Sequence, residues 1–402
     1  MTAITKAILE PLWGPHPART IPFDQLYENL LDHVNKRNLV RVIKEDLELF
    51  NYTVHAQFNT AWDVFTLISR GLIVAPSEKR VVATPFPKFF NYGETQIWGA
   101  DQAPGETLVT AKYDGSLGIT FFHKGQWQIA TRGSFRSEQA LWATQWFHEH
   151  VNWQLLEKGH TYLFEIIYRK NKIVVSYDFE GLVLLGGYFS NGEELSHTEV
   201  QSLGKQLQVR VCENYTFQTI DSLATSAKTL AASLEGWVVR FPNGHRLKIK
   251  GDEYCRLHRL ISSVTPLTLW EIMLQGDDLD GLRKEIPEEH LSDFNHIQTI
   301  LEGKLSELLT AAHQAYEKAK PFTDKEVGLA FKSGQWPNGA RVAPIERKFI
   351  FSARKNDFFE QVKVGGSRQR KMAFDTFRPT GNDLEGYTPS TSLNRFIQEN
   401  QG

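Results

Sequence analysis

Glu106-Thr-Leu-Val-Thr-Ala-Lys112-Tyr-Asp-Gly-Ser116-Leu-Gly-Ile-Thr-Phe-Phe122 decides how the surrounding chain folds. Two runs rich in β-branched and aromatic residues, Glu106 to Lys112 and Leu117 to Phe122, flank a Tyr-Asp-Gly-Ser turn, which is the pattern of antiparallel strands. Lys112 closes the first strand, where a tight turn lets its side chain face a pocket. His123-Lys124-Gly125 then reads as a hairpin turn into a third strand, Gln126 to Thr131.

Outward from this centre the same texture covers residues 60 to 255. Further strands are predicted at Thr161 to Ile167, Ile173 to Tyr177, Gly181 to Tyr188, Gly236 to Phe241 and Arg246 to Lys250. The last two are joined through Pro242-Asn243-Gly244, and Asn-Gly is a strong hairpin signal. One helix interrupts them, Ser137 to Lys158, with Leu141, Trp142, Gln145, Trp146 and Glu149 at helical spacing and Gly159 as its stop. Its tryptophans read as core. His148 and His150, two residues apart, point to different helix faces and lack the one-turn spacing of a zinc pair.

Past residue 262 the pattern becomes helical. Thr265-Pro266 reads as an N-cap followed by proline at the first helical position, with Gly276 as the stop. Leu291, Phe294, Ile297, Leu301, Leu305, Leu308, Ala312 and Tyr316 recur every three or four residues along one long amphipathic helix. Thr323-Asp-Lys-Glu326 has the form of a capping box. The stretch from Arg341 to Arg378 carries ten Lys or Arg against four acids, interleaved with Phe349, Phe351, Phe358, Phe359, Phe374 and Phe377. That pattern fits a phosphate-contacting face or a solvated face over a small aromatic core. The fold class expected is therefore α+β: an antiparallel-sheet domain with an N-terminal extension over residues 1–262, then a mainly α-helical C-terminal domain over 263–402.

The 402 residues are 41% hydrophobic and 23% charged, ordinary values for a globular chain of two or three domains. Forty-five Lys and Arg against 47 Asp and Glu leave a formal net charge of -2, so any nucleic acid has to be held by a local basic cleft. Cys212 and Cys255 are too few for a disulfide framework or a thiolate zinc site. No apolar run approaches the roughly 20 residues that span a bilayer, and Met1-Thr-Ala-Ile-Thr-Lys lacks a secretory pattern. The expectation is a soluble, cytoplasmic protein with no membrane role.

The chemistry centres on Lys112 and on charged residues that folding alone would not place in strands. Glu165 lies inside Tyr-Leu-Phe-Glu-Ile-Ile-Tyr, and Glu235 opens Glu-Gly-Trp-Val-Val. Lys248 and Lys250, two apart on a strand, share a face opposite Leu247 and Ile249. Burying any of these unpaired costs several kcal/mol, so they must pair, bind a metal or meet a charged ligand. A lysine amine is a poor nucleophile while protonated, and Lys248 and Lys250 beside Lys112 would push its pKa down. The same cations, with a divalent metal near Glu165 and Glu235, would neutralise a phosphate under attack. Such a site suits a covalent lysyl–nucleotide intermediate, and no Gly-x-x-x-x-Gly-Lys-Ser/Thr loop offers a P-loop alternative.

The order Lys-x-Asp-Gly-Ser, Glu in an apolar strand, Glu-Gly, then Lys-x-Lys resembles the covalent nucleotidyltransferase superfamily of ligases and capping enzymes, and within it the phage-type RNA ligase 1 family. The resemblance covers about residues 60 to 260 and is looser beyond. It implies that Lys112 is the adenylylated lysine, with Asp114 and Gly115 supporting its motif. Thr131-Arg132-Gly133-Ser134 is similar to the next conserved element, with Arg132 at its basic position. Glu165, followed by Asn171-Lys172-Ile173-Val174, matches the carboxylate element at the nucleotide ribose. Glu235 matches the metal-linked acid, and Lys248 and Lys250 the pair on the α-phosphate. Ser69-Arg70-Gly71-Leu72 and Pro87-Lys88-Phe89-Phe90-Asn91 look like the elements whose basic side chains approach the β- and γ-phosphates of ATP. Read alone, Arg70 fits a surface residue beside a turn glycine, Lys88 a chain snorkelling over Phe86 and Phe89, and Asp114 ordinary turn chemistry. Leu184-Leu185-Gly186-Gly187-Tyr188 lacks the aromatic that stacks on the purine elsewhere in the superfamily, so no stacking residue is assigned.

The resemblance implies an ATP-dependent RNA ligase using Mg²⁺ or Mn²⁺. It would join 5′-phosphate and 3′-hydroxyl RNA ends in RNA or tRNA repair, with a separate polynucleotide kinase/phosphatase as partner and an RNA-binding role for the C-terminal domain. The alternatives are a capping-type guanylyltransferase and a non-catalytic RNA-end-binding protein. A capping enzyme should continue into a small β-barrel, whereas the residues after Lys250 read helical.

Overall fold

A computed structural model describes residues 4–97, 100–102, 104–172, 174–262, 264–286, 288–355, 357–380 and 383–389. The apolar runs pair into three sheets. The first is antiparallel throughout, in the order β1 (Leu39–Lys44), β2 (Leu47–Tyr52), β3 (Arg70–Ala75), β4 (Arg80–Ala83). Helix Phe23–Asn35 packs on it, because its periodic Leu26 and Leu30 are fully buried in the same cluster as Phe50 and Leu72. The N-terminal extension thus supplies two of the four strands.

The remaining strands are β5 (Phe90–Asn91), β6 (Leu108–Lys112), β7 (Ser116–His123), β8 (Gln126–Ala130), β9 (Thr161–Ile167), β10 (Gly181–Tyr188), β11 (Arg210–Val211), β12 (Asn214–Tyr215), β13 (Gly236–Arg240) and β14 (Arg246–Lys250). One sheet runs β11-β10-β9-β7-β8 and the other β12-β6-β13-β14-β5. All of their pairs are antiparallel except β10 with β11 and β14 with β5.

The third sheet positions the chemistry. Val109, Trp237, Val239, Leu247 and Ile249 recur with period two and turn one face onto helix Ile220–Ala227. A large apolar side chain buried this way contributes roughly 1.5–3 kcal/mol. The opposite face is left to Lys112, Lys248 and Lys250. Register sets them close together, with Gly236 opposite both Lys112 and Lys250 and Val238 opposite Lys248.

Two sequence-based elements differ from the structure. Residues 174–177 form no strand, and Ile173 lies outside the described residues. The Val174 and Val175 N–H groups donate instead to Asp114 Oδ2, at 2.8 and 2.9 Å. The helix predicted over Ser137–Lys158 runs only from Glu138 to His150, with Ser137 as its N-cap. Val151 leaves it in extended conformation with its side chain in the core. The buried stripe is Ala140, Ala143 and Phe147, Trp142 and Trp146 pack at its edge, and Leu141 is exposed. His148 and His150 each engage a backbone carbonyl.

The chain divides into two compact units, one running up to His258 and the other from Arg259, where the sequence reading puts a boundary after 262. Among the described residues the second unit contains helices and no further strand. Thr265 caps Pro266–Gln275 and Gly276 ends it in left-handed conformation. The long helix spans Glu288–Ala319, and Thr323 and Glu326 form the expected capping box of Asp324–Ser333. Phe349, Phe358 and Phe374 are buried. Arg354 donates to the Ala319 and Phe322 carbonyls, and Arg370 to those of Met273 and Val362. Part of the basic 341–378 stretch therefore pins an aromatic core. No helix among the described residues is long and apolar enough to cross a membrane.

Candidate active site

Lys112 ends β6 with its Nζ 2.7 Å from Glu235 Oε2, and Lys250 Nζ lies 2.9 Å from Glu235 Oε1. Glu235 is only 2% exposed, so its charge is tolerable because two ammonium groups bracket it. Gly236 makes the bracket possible. Its φ is +148°, and a Cβ there would stand 2.0 Å from the Ile249 carbonyl oxygen, so only glycine brings Glu235 this close between the two strands.

The motif turn is anchored from three sides. Asp114 is 3% exposed and, besides the two valine amides, its Oδ1 accepts from the Tyr254 hydroxyl at 3.0 Å. The Asp114 N–H donates to the Tyr177 hydroxyl at 2.7 Å. Asp114 therefore does more than stabilise a local turn: it ties residues 174–175 and helix Asp252–Ser262 to the lysine. At Gly115 a Cβ would meet the Ile166 carbonyl oxygen at 2.6 Å and Glu165 Cγ at 2.9 Å, so glycine lets the turn lie against β9 beside Glu165.

Electrostatics corrects one sequence-based expectation. The sequence reading has Lys248 and Lys250 push the Lys112 pKa down. Burial does act that way, but Glu235 and then Glu165 outweigh it, and the Lys112 pKa is raised. The depressed amine is Lys248, lowered to about 7 by burial and then by Lys112, Lys250, Lys88 and Arg70. Glu165 moves the other way, up to about 7, first through burial, with Glu235 and Asp114 adding to the rise against Lys112 and Arg70. Glu235 stays below the usual carboxylate range because Lys112 and Lys250 overcome its burial.

A second group of cations stands around Tyr52. Lys88 Nζ lies 5.3, 5.0 and 4.9 Å from the ring centres of Tyr52, Trp62 and Phe90, an aromatic cage rather than the Phe86 and Phe89 surface read from sequence. The Arg132 guanidinium is 5.5 Å from the Tyr52 ring and that of Arg70 is 5.8 Å from Phe89. Burial lowers the pKa of both Lys88 and Arg70. Burial of Tyr52 opposes ionisation, yet Lys88, Arg70 and Arg132 prevail and lower its pKa. Pairing of β5 with β14 sets Phe90 of the cage opposite Leu247 and Asn91 opposite Lys248, so both groups form one site. The structure thus brings together Lys112, Glu165, Glu235, Lys248, Lys250, Arg70, Lys88 and Arg132. Sequence reading missed Tyr52, Trp62, Tyr177 and Tyr254, which sit in apolar or unremarkable contexts and gain meaning only from tertiary contacts.

The site is a lysine amine facing a carboxylate, ringed by buried cations suited to a polyphosphate. Residues 68–254 match the family model described as RNA ligase. This region, just under half of the chain, is similar to the phage-type RNA ligase 1 family. The matched part of the chain is similar to an RNA ligase domain. It is similar to the RNA ligase of Rhodothermus phage RM378, at 23% identity over 69% of this chain and 79% of that protein. It is also similar to a putative bifunctional polynucleotide kinase/RNA ligase of Autographa californica nuclear polyhedrosis virus, at 26% identity over 68% of this chain and 42% of that one. A Naegleria gruberi RNA ligase solved with ATP and Mn aligns over 42% of this chain and 56% of its own, at 18% identity and a TM-score of 0.35. The chain therefore spans well under two thirds of the latter two proteins.

The donors fit a divalent metal unequally. Glu165 has no hydrogen bond or ion pair to its carboxylate among the described residues, and its raised pKa marks it as under-neutralised. Glu235 fits a cation only after releasing an ammonium.

Proposed function

We propose that the protein joins 5′-phosphate and 3′-hydroxyl RNA ends through a lysyl-AMP and an RNA-adenylate. Lys112 Nζ attacks the α-phosphorus of ATP: a nitrogen–phosphorus bond forms, the α–β bridging bond breaks, and pyrophosphate leaves. AMP then passes to an RNA 5′-phosphate, and the 3′-hydroxyl displaces it to seal the strand. The observation that supports this reading best is the Lys112–Glu235–Lys250 bracket, a nucleophile held beside its countercharge on a face that also carries Lys248.

Lys248, Lys250 and Arg132 hold the α-phosphate and its neighbours, while Arg70 and Lys88 orient the departing pyrophosphate. Glu165 takes the ribose side, and Asp114 and Gly115 fix the nucleophile's turn. A divalent cation, Mg²⁺ or Mn²⁺, bound by Glu165 and Glu235 would add positive charge against the phosphates. Lys112 can release its proton once Glu235 no longer holds it. RNA or tRNA repair suits this chemistry, with a polynucleotide kinase/phosphatase supplying the ends; the baculovirus relative's name couples such a kinase to a ligase. In this reading residues 1–262 perform the chemistry and 263–402 contact RNA.

Lys112→Ala should abolish covalent labelling by ATP radioactive in its α-phosphate. Labelling that survives the substitution would overturn the proposal, and labelling by GTP instead would point to capping chemistry. Sealing assays on 5′-phosphorylated linear RNAs and nicked tRNAs would identify the substrate class.

A further inference from the structure

At the far end of β7 from Ser116 lies a cluster with no part in this reaction. Seven residues of strand at about 3.3 Å each put His123 roughly 23 Å from Ser116. Glu45 and Asp46, in the turn between β1 and β2, meet His123 at the tip of the β7–β8 hairpin, with one ligand atom from each lying within 4.8 Å of the others. His123 Nε2 stands 3.1 Å from Asp46 Oδ1 and 3.8 Å from Glu45 Oε2. Donors around a tetrahedral ion with bonds of about 2.1 Å are about 3.4 Å apart, and the His123 spacings of 3.1 and 3.8 Å lie on either side of that.

A second observation points to a ligand. His123 is 6% exposed, and its Nε2 is buried without a hydrogen-bond partner although it is aimed at the two carboxylates. Asp46 Oδ1 is buried and unbonded as well. The two atoms face each other at 3.1 Å in an ion-pair contact without hydrogen-bond geometry, so part of the cost of desolvating them stays uncompensated, and an ion between them would recover it. The cluster already attracts a cation: the Lys124 ammonium pairs with Glu45 Oε2 and lies 3.7 Å from Asp46 Oδ1.

We propose that Glu45, Asp46 and His123 form a binding site for a first-row divalent transition ion such as Zn²⁺. One imidazole nitrogen and two carboxylate oxygens are a donor set that suits such ions, with water at the fourth position. The ion displaces the Lys124 ammonium and clips the β1–β2 turn to the β7–β8 hairpin. Its role is structural and separate from any metal at Glu165 and Glu235.

The test is calorimetric titration of the full chain with Zn²⁺, without nucleotide, supported by the ligand-field absorption of Co²⁺. Wild type should show one site that His123→Ala loses and Glu45→Gln weakens roughly tenfold or more. Lys124→Gly should tighten it by removing the competing cation, on a residue whose φ of +47° glycine adopts readily. Zn²⁺ should raise the melting temperature of wild type but not of His123→Ala. Glu45 is exposed, so Glu45→Gln keeps the test valid if the histidine variant does not fold. Equal Zn²⁺ affinity and an unchanged Co²⁺ spectrum in wild type, His123→Ala and Glu45→Gln would overturn the proposal.

Discussion

The two halves of the active site treat charge in opposite ways. On β6, β13 and β14 the charges close on themselves: Glu235 sits between Lys112 and Lys250, and its burial is compensated without a ligand. Around Tyr52, Arg70 and Lys88 rest on aromatic rings, and among the described residues neither has an ion pair. One half must be opened before it reacts; the other must be filled. On the proposed reading a polyphosphate does the filling, because its oxygens supply the anions that Arg70, Lys88 and Lys248 lack. Binding energy gained at the remote phosphates is then available to break the Lys112–Glu235 pair at the reacting centre.

Glu235→Gln breaks this contrast most severely. It leaves two ammonium groups facing each other across a neutral amide and removes one metal-suited donor. Covalent labelling should fall on the order of 10²-fold or more, comparable to deleting an electrostatic group from a catalytic site. The residual rate should nevertheless change its pH dependence. Glu235 is the largest force raising the Lys112 pKa, so its loss lets the amine form at lower pH. The alkaline rise of the labelling rate should shift to lower pH; an unshifted profile would mean that Glu235 does not control the Lys112 proton.

Lys88→Ala probes the open half. With one cage cation gone, lysine adenylylation should slow roughly ten- to a hundredfold, the equivalent of about 1.5–3 kcal/mol for a hydrogen bond to a charged group. Sealing of RNA already carrying a 5′-adenylate has no pyrophosphate to expel and should stay near the wild-type rate. If both steps suffered equally, the proposed division of labour between the halves would be wrong.

Legibility from sequence follows the same division. Thr161–Ile167, Gly181–Tyr188 and Arg246–Lys250 form strands over the residues read from alternation and turn signals, because local pattern and tertiary pairing agree there. Ile173–Tyr177 carries the same β-branched signal, yet the Asp114 carboxylate takes the amides of Val174 and Val175, a long-range competitor that no local rule reveals. The end of helix Glu138–His150 was misread because Val151, not Gly159, stops it. Among candidate site residues, the strand-end turn singled out Lys112, and out-of-place charges singled out Glu165, Glu235, Lys248 and Lys250. Whether Lys112 has a cation or a carboxylate as nearest neighbour depends on Gly236 lying opposite both lysines, a register the sequence does not state. The Lys88 cage needs Tyr52 and Trp62 from distant segments, so composition around Lys88 could only suggest Phe86 and Phe89.

The smallest expected effect sharpens the comparison through stability. Glu165 has its pKa raised to about 7, so the folded state favours its protonated form; the stability this gives is present below the unfolded value and lost as pH rises toward 7. Lys248 has its pKa lowered to about 7, so the folded state favours the neutral amine; that stability is present above its unfolded value of about 10.5 and lost as pH falls toward 7. Near neutrality both groups are forced part-way into charge states the fold resists. Glu165→Gln should therefore raise the melting temperature above pH 7 and have little effect near pH 4.5. Lys248→Met should raise it below pH 7, with the benefit fading toward pH 10.5. Each kcal/mol recovered should appear as about 2–4 °C in a unit of this size. Pyrophosphate, held by Arg70 and Lys88 in both proteins, should shrink the Lys248→Met advantage by stabilising the wild type more, since an anion bound beside Lys248 also compensates its charge. If the two variants showed the same pH dependence, or if pyrophosphate protected both proteins equally, burial rather than a missing anion would be what strains this half of the site.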